Sequence, residues 1–188
     1  ASHTAEVVLE DVRIPGSCLL GTKEKLDERI ARVKEGKSGN AQAAMQTFEA
    51  TRPAVAAQAI GVARAAYEYA LEYAKEREAF GRSIGKYQVI KHKLVEMATR
   101  LEVSKTMTYT VAANMNAGVD QVKEVSMAKN FATDTSDFIT YEAVQIFGGH
   151  GLMRENVVER LYRDNRLLSI GGGTREIMNE IIAKQMGV

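Results

Sequence analysis

The sequence predicts an all-α protein: an antiparallel four-helix bundle with a short extra helix, preceded by a short β remnant. One observation is composition, since the 188 residues include only 2 prolines and no tryptophan, and Ala, Glu, Lys and Met are common. A second is a run of apolar and small residues at alternating spacings of four and three, typical of helices that pack at small crossing angles. Its members are Ile90, Leu94, Met97, Leu101, Ser104, Thr108, Val111 and Met115.

The first segment, Ala5 to Ile14, is rich in β-formers and partly alternating, and Pro15-Gly16-Ser17 closes it with a turn. One short strand cannot make a stable sheet. We therefore expect this segment to pair with strands outside this sequence, which would make the 188 residues the tail of a longer protein. The mixed charges of Lys23 to Gly39 predict a solvated connector with a helical turn.

The first long helix is expected from about Asn40 to Glu78, where Pro53 should kink it or mark a short leading turn. The second helix carries the 3.5-residue pattern and stops at Asn116-Ala117-Gly118. The apolar side of the first helix is predicted to hold Ala44, Phe48, Val55, Ala59, Val62, Ala66 and Ala70.

A third long helix is predicted from Val119 to Phe147, ending at the glycines that follow it. A short helix should span Val157 to Tyr162, and a last one should begin near Thr174. Short connections between long helices favour antiparallel neighbours. The residues expected to point inward are Met127, Phe131, Phe138 and Ile139 in the third helix, and Ile177, Ile181 and Ile182 in the last.

Several function classes are excluded by composition and motif. The formal net charge of +1 argues against a nucleic-acid surface. A single cysteine, Cys18, excludes an intrachain disulfide and a Cys-clustered zinc site, and the three histidines lie far apart, so we expect no metal. No apolar run approaches a membrane span, and no secretory signal is visible. No serine-hydrolase, zinc-protease or P-loop motif occurs.

Two segments that contain glycines, one of them also with arginines, are candidates for ligand binding. Lys75 to Gln88 joins two helices and carries Arg77 and Arg82, which suit a phosphate as well as they suit a plain charged loop. Gln145 to Gly151 follows a helix rather than a strand, so a Rossmann dinucleotide loop is rejected. Close backbone approach to a ligand and a simple helix C-cap both remain open there.

Two further segments carry unusual local sequences. Ile170 to Glu176, preceded by Arg163-Asp164, places three glycines before a helix and so offers exposed N–H groups to a phosphate or a carbonyl oxygen. Phe48 to Pro53 places Thr-Arg-Pro inside a predicted helix. That choice is poor for stability and therefore indicates a functional role.

In this order, the segments resemble the acyl-CoA dehydrogenase family over nearly the whole chain. The motifs are Glu76-Arg77-Glu78-Ala79-Phe80-Gly81, Gln145-Ile146-Phe147-Gly148-Gly149-His150-Gly151, and Arg163-Asp164 with the Gly-Gly-Thr loop. The resemblance implies that residues 1–22 end a middle β-domain and that residues 23–188 form the C-terminal helical domain. It also implies α,β-desaturation of an acyl-CoA thioester, with hydride passing to N5 of FAD.

The resemblance also implies partners and site residues. FAD would cross a dimer interface in a homodimer or homotetramer, electrons would leave through an electron-transferring flavoprotein or similar acceptor, and the compartment would be bacterial cytoplasm or mitochondrial matrix. Cofactor-binding residues would be Arg77, Ala79, Phe80, Tyr87, Gln88, Gln145, Ile146, Phe147, Gly148, Gly149, Thr174 and Glu176. Substrate-binding residues would be Glu49, Arg52 and Gly173.

The sequence departs from the family at the catalytic base. The two positions where family members carry the catalytic glutamate hold Gly172 and Thr51 here. Glu49 is a remaining candidate for the base, but it is displaced by about 200° around a straight helix and would need Pro53 to distort the turn. The base could come from outside this sequence, or the flavin could serve a different reaction. The alternative function is a non-catalytic or partner-dependent helical module of the same family.

Overall fold

The computed structural model describes residues 5–19, 21–36 and 42–188, and for residues 42–49 it describes the backbone only. The chain divides into two compact units, with the boundary between Thr47 and Phe48.

In the N-terminal unit, residues 5–15 form neither helix nor strand. An isolated β-rich segment has no strand to pair with inside the described part of this unit, so its pairing with strands elsewhere stays a prediction. A 3₁₀ turn spans Gly16–Cys18, and helix α1 spans Lys23–Lys34. The prediction of a connector with one helical turn was too short, because Thr22 caps a 12-residue helix by accepting a hydrogen bond from the Lys25 N–H at 3.4 Å.

The remaining elements are helical apart from one small hairpin. Helix α2 (Gln42–Glu76) continues through Pro53. Strands β1 (Glu78–Ala79) and β2 (Arg82–Ser83) form an antiparallel hairpin that the sequence analysis missed. The following helices are α3 (Gln88–Asn116), α4 (Val122–Phe147), α5 (Val157–Asn165) and α6 (Arg175–Met186).

Side-chain contacts fix the directions of the helices around α4. Ser104 of α3 donates to Thr135 of α4 at 2.9 Å, and Val111 clusters with Val125, so α3 runs antiparallel to α4. Asn130 of α4 donates to Asn179 of α6 at 3.0 Å. Arg175, at the start of α6, pairs with Asp134, one turn further along α4, so α6 is antiparallel as well. The predicted bundle of α2, α3, α4 and α6, with α5 as the extra helix, is confirmed.

Small side chains allow the helices to pack closely. From Ala56 to Ala74 the buried face of α2 consists of alanines, and α4 buries several hydroxyl residues that donate to carbonyls of their own helix, as Thr140 does to Ser136 at 2.8 Å. Such self-satisfied hydroxyls remove the cost of burying polar groups. The buried alanines of α2 are Ala56, Ala59, Ala63, Ala66, Ala70 and Ala74.

Some inward residues were predicted wrongly. Ile139 is fully buried as expected, and the half-buried Phe138 packs against the core, whereas Met127 and Phe131 are only half-buried. In α6, Ile177 is exposed and its neighbour Met178 fills the core. Ile181 and Ile182 are half-buried on the same face as Met178, so the error in α6 is confined to Ile177.

Candidate functional site

The connection between α2 and α3 is a rigid hairpin with an exposed aromatic tip. Phe80 and Gly81 form its two-residue turn, both at positive φ (53° and 82°). The Phe80 side chain is 96% exposed. A bulky residue in the left-handed region is strained, and strain of this kind concentrates at ligand and partner sites.

Tyr87 holds this hairpin closed from the start of α3. Its hydroxyl donates to the Ala79 carbonyl at 2.9 Å, and the Arg82 guanidinium lies 4.2 Å above its ring. The Ile84 N–H donates to the Arg77 carbonyl at 2.8 Å, which fixes the Arg77 backbone while its side chain stays exposed. The exposed Gln88 then begins α3.

The glycine turn after α4 lies at the same end of the bundle. Gly148 ends the helix with φ 59° and ψ −136°, and Gly148 and Gly149 are both exposed. Phe147 stacks on Tyr73, in the last turn of α2, with ring centroids 4.0 Å apart. That stack joins the turn to the hairpin that follows α2. We call residues 77–88 together with 145–149 the end surface.

The predicted residues of the end surface differ in what they can offer. Gln145 is exposed, but the Ile146 side chain is buried in the core cluster, so only its backbone is accessible. Exposed guanidinium groups at Arg77 and Arg82, exposed glycine backbone and an exposed aromatic ring suit a ligand with phosphate and a planar ring. The structure therefore brings the first two candidate segments together.

The remaining candidates lie elsewhere, along the N-terminal part of α4. Residues 169–174 form a loop, here called the glycine loop, in which Gly172 and Gly173 have φ of 69° and 104°. A Cβ at Gly172 would lie 3.0 Å from Cγ2 of Val55 in α2. Thr51 precedes Val55 by four residues and so shares its face of the helix. The two family base positions therefore face a common region between the glycine loop and α2.

Thr174 and Glu176, two predicted cofactor-binding residues, lie at the start of α6, directly after these glycines. The Thr174 hydroxyl caps α6 by accepting from the Ile177 N–H at 3.4 Å. Hydrogen bonds at this helix start lower the pKa of Glu176. The side chain of Glu49 lies outside the described residues.

The sequence analysis missed Lys129, in the N-terminal half of α4. Its side chain is 0% exposed, and its ammonium donates to the carbonyls of Gly173 at 2.8 Å and Ser169 at 3.2 Å. Burial lowers the pKa of Lys129, and the charges of Arg175 and Arg52 lower it further. The available sequence signal was a lysine among the small residues of one face of α4.

A second missed group borders the glycine loop. Ser136 donates to the buried amide of Asn165, which in turn donates to Asp137 at 2.5 Å. Burial raises the pKa of Asp137, against the opposing charge of Arg166. Asp137 lines a cavity of about 210 Å³ together with Ser169, Thr174 and other residues of this region.

The two clusters are separated within one chain. Phe147 and Lys129 are 18 positions apart on α4, which corresponds to roughly 27 Å along the axis. The candidate residues therefore form two separate groups within one chain. Within the described ranges, no group of three or more His, Cys, Asp or Glu side chains could hold a metal, and no helix is long and apolar enough to cross a membrane.

Comparison with protein families assigns most of the chain. Residues 41–187 match the model of the acyl-CoA dehydrogenase C-terminal domain. The caffeyl-CoA reductase-Etf complex subunit CarC of Acetobacterium woodii is 38% identical over 180 residues, covering 96% of this chain and 44% of that protein. The chain thus spans less than half the length of this relative.

Solved structures give the same assignment. A probable acyl-CoA dehydrogenase from Mycobacterium abscessus is 50% identical with a TM-score of 0.77, over 80% of this chain and 41% of that one. A structure of PigA with FAD and proline is 28% identical with a TM-score of 0.72, over 74% of this chain and 37% of that one.

Proposed function

Because the chain belongs to the acyl-CoA dehydrogenase family, we propose that it is the helical part of an FAD-dependent enzyme that desaturates an acyl-CoA thioester. The chain covers less than half of its relatives, so this activity is proposed for the longer protein. The observation that carries the proposal is the end surface. There the Tyr73–Phe147 stack joins a strained, exposed hairpin tip to an exposed glycine turn.

The end surface fits part of FAD on its own chemistry. Arg77 offers an exposed cation to a pyrophosphate, and Phe80 offers a fully accessible ring to a planar heterocycle. Gly148 and Gly149 have open space where a Cβ would stand, so a ligand can approach their backbone. When bound, FAD supplies the hydride acceptor.

The second cluster is proposed to act on the thioester. Thr174 and Glu176 would belong to the flavin site of one subunit, while the end surface serves the flavin of its neighbour. The 27 Å separation along α4 supports this division. Gly173 and Arg52 would lie near the acyl-CoA; Arg52 is 2% exposed and close enough to Lys129 to affect its pKa.

Arg77→Ala in the full-length protein tests the flavin site. Loss of a charge-assisted phosphate contact should weaken FAD binding by roughly 1.5–3 kcal/mol. The readout is FAD retained per folded chain after dialysis. Arg64→Ala is the matched control, since Arg64 is an exposed arginine of α2 that pairs with Glu68 at 3.6 Å, away from the end surface. Equal FAD retention in the two variants would contradict the assignment.

A non-catalytic or partner-dependent module is the second candidate, and one observation favours it. Neither family base position carries a carboxylate, and the space on the Cβ side of Gly172 is occupied by Val55. Full-length protein assayed with acyl-CoA and an artificial electron acceptor separates the candidates. Turnover supports an enzyme with its base elsewhere in the chain or its partner, and absence of turnover with bound FAD supports the module.

The electron acceptor, the oligomeric state and the compartment are also proposed from family membership. The A. woodii relative is named as part of a reductase-Etf complex, which supports an electron-transferring flavoprotein as the acceptor. A homodimer or homotetramer would complete each flavin site. The compartment expected from the sequence, bacterial cytoplasm or mitochondrial matrix, stays a prediction.

A further inference from the structure

A wholly buried ammonium group holds the glycine loop at both of its ends. Lys129 donates to the carbonyls of Ser169 and Gly173, which lie 40 and 44 residues further along the chain. Its neighbours on the buried face of α4 are small or apolar, including Ala128 and Ala132. One side chain thus ties α4 to both ends of a segment that contains three consecutive glycines.

Burying this charge is costly, so packing does not account for it. An apolar side chain of similar volume would fill the same space without the desolvation cost of an ammonium. The charge is further opposed by Arg52 of α2 and Arg175 of α6, and it is only partly compensated by Asp137 of α4 and Glu176 of α6. What the ammonium supplies is its pair of hydrogen bonds.

The glycine loop needs such an anchor. Gly172 and Gly173 adopt backbone conformations that cost glycine little, so local sterics restrain them weakly. Among the described hydrogen bonds, the Gly171 N–H donates to the Leu167 carbonyl at 2.7 Å, but none is donated by the N–H of Gly172 or Gly173. The anchor at Gly173 therefore sets how Gly172 stands against Val55.

We propose that Lys129 is a positioning residue for the thioester reaction, which it serves by fixing the glycine loop between α4 and α2. This inference rests on the proposed function for the reaction itself, while the anchoring of the loop is independent of any flavin. Lys129 touches neither the substrate nor the cofactor in this account and acts only through the Ser169 and Gly173 carbonyls.

Hydrogen exchange on the 188-residue chain tests the anchor without flavin. Lys129→Met keeps the side-chain length but removes the donors. It should accelerate exchange of the Ile170 and Gly171 amides, which donate to the Leu167 carbonyl, by about tenfold or more, leaving α3 unchanged. Lys184→Met is the control, because Lys184 is an exposed lysine in the last turn of α6. Unchanged exchange in the glycine loop of a folded Lys129→Met chain would overturn the anchor.

A second measurement serves if Lys129→Met fails to fold. In the unaltered chain, an amine-acylating reagent should modify Lys129 about a hundredfold more slowly than Lys184, because reaction requires local opening of the loop. Equal rates at the two lysines would overturn the anchor just as directly.

Kinetics of the full-length enzyme test the positioning role. Lys129→Met should lower kcat per bound FAD by about tenfold while FAD content stays unchanged, and Lys129→Arg should restore part of kcat because it keeps the charged donors. A loss confined to FAD content, or an unchanged kcat, would overturn the role. If the unaltered full-length protein turns over no thioester, the proposed function fails and the positioning role fails with it, while the exchange result still decides the anchor.

Discussion

At the scale of single residues, Gly172 and Lys129 define the region around the glycine loop. Gly172 occupies a family base position but lies against Val55, and Lys129 carries the charge on a buried face whose other residues are uncharged. The sequence shows the missing carboxylate at Gly172 directly. It does not show Val55, because contact between a loop and a helix more than 110 residues earlier depends on the packing of the whole bundle.

Gly172→Ala tests the crowding beside this glycine. The φ of 69° and the 3.0 Å approach to Val55 should lower the free energy of unfolding by about 1–2 kcal/mol. Gly61→Ala is the control: it lies in α2 with nothing within 4 Å of its Cβ position in the described part of the chain, and it should raise stability by about 0.5–1 kcal/mol. Urea unfolding measures both, and a Gly172→Ala chain as stable as the unaltered one would contradict the geometry.

Lys129 should leave a signature in the pH dependence of stability. Its pKa is lowered in the folded chain, so between that value and the unfolded value near ~10.4 the unfolded chain binds more protons. Stability contributed by this residue therefore rises with pH across that window, and the cost of the buried charge is fully present below it. The free energy of unfolding in urea is measured at a series of pH values for both chains. The difference between the unaltered chain and Lys129→Met should show this rise with pH. A flat difference would mean that the pKa is not lowered.

At the scale of elements, helices were predictable and their exact rotation was not. The 3.5-residue pattern placed α3 correctly, because packing against two neighbours requires that period. The hairpin of β1 and β2 was missed because two-residue strands carry no periodic signal. The exposure of Ile177 was missed because the rotation of α6 depends on its contacts with α4.

The hairpin should show a trade-off between stability and ligand binding. Phe80→Asn places a residue that tolerates positive φ at a strained, exposed position, so the free energy of unfolding should rise by about 0.5–1 kcal/mol. The same change should lower FAD retention in the full-length protein, whereas Phe80→Tyr should preserve it. Higher stability together with full FAD retention in Phe80→Asn would show that the exposed ring has no role in binding.

At the scale of the whole molecule, the helical bundle determines which candidate segments lie close together. Composition and the spacing of apolar residues predicted the bundle, the motifs predicted the family, and the comparisons confirm the family. The structure then separates the candidates into the end surface and the glycine loop, a division that a linear sequence does not reveal. The two surfaces lie near opposite ends of α4, which agrees with the proposal that each belongs to a different flavin site.

The most direct test is the flavin stoichiometry of the purified full-length protein, read from its visible absorbance before and after anaerobic addition of an acyl-CoA thioester. The account predicts a yellow protein with about one FAD per chain, bleached by a thioester of suitable chain length. A correctly folded full-length protein that binds no FAD even when the cofactor is in excess would contradict the proposed role of the end surface.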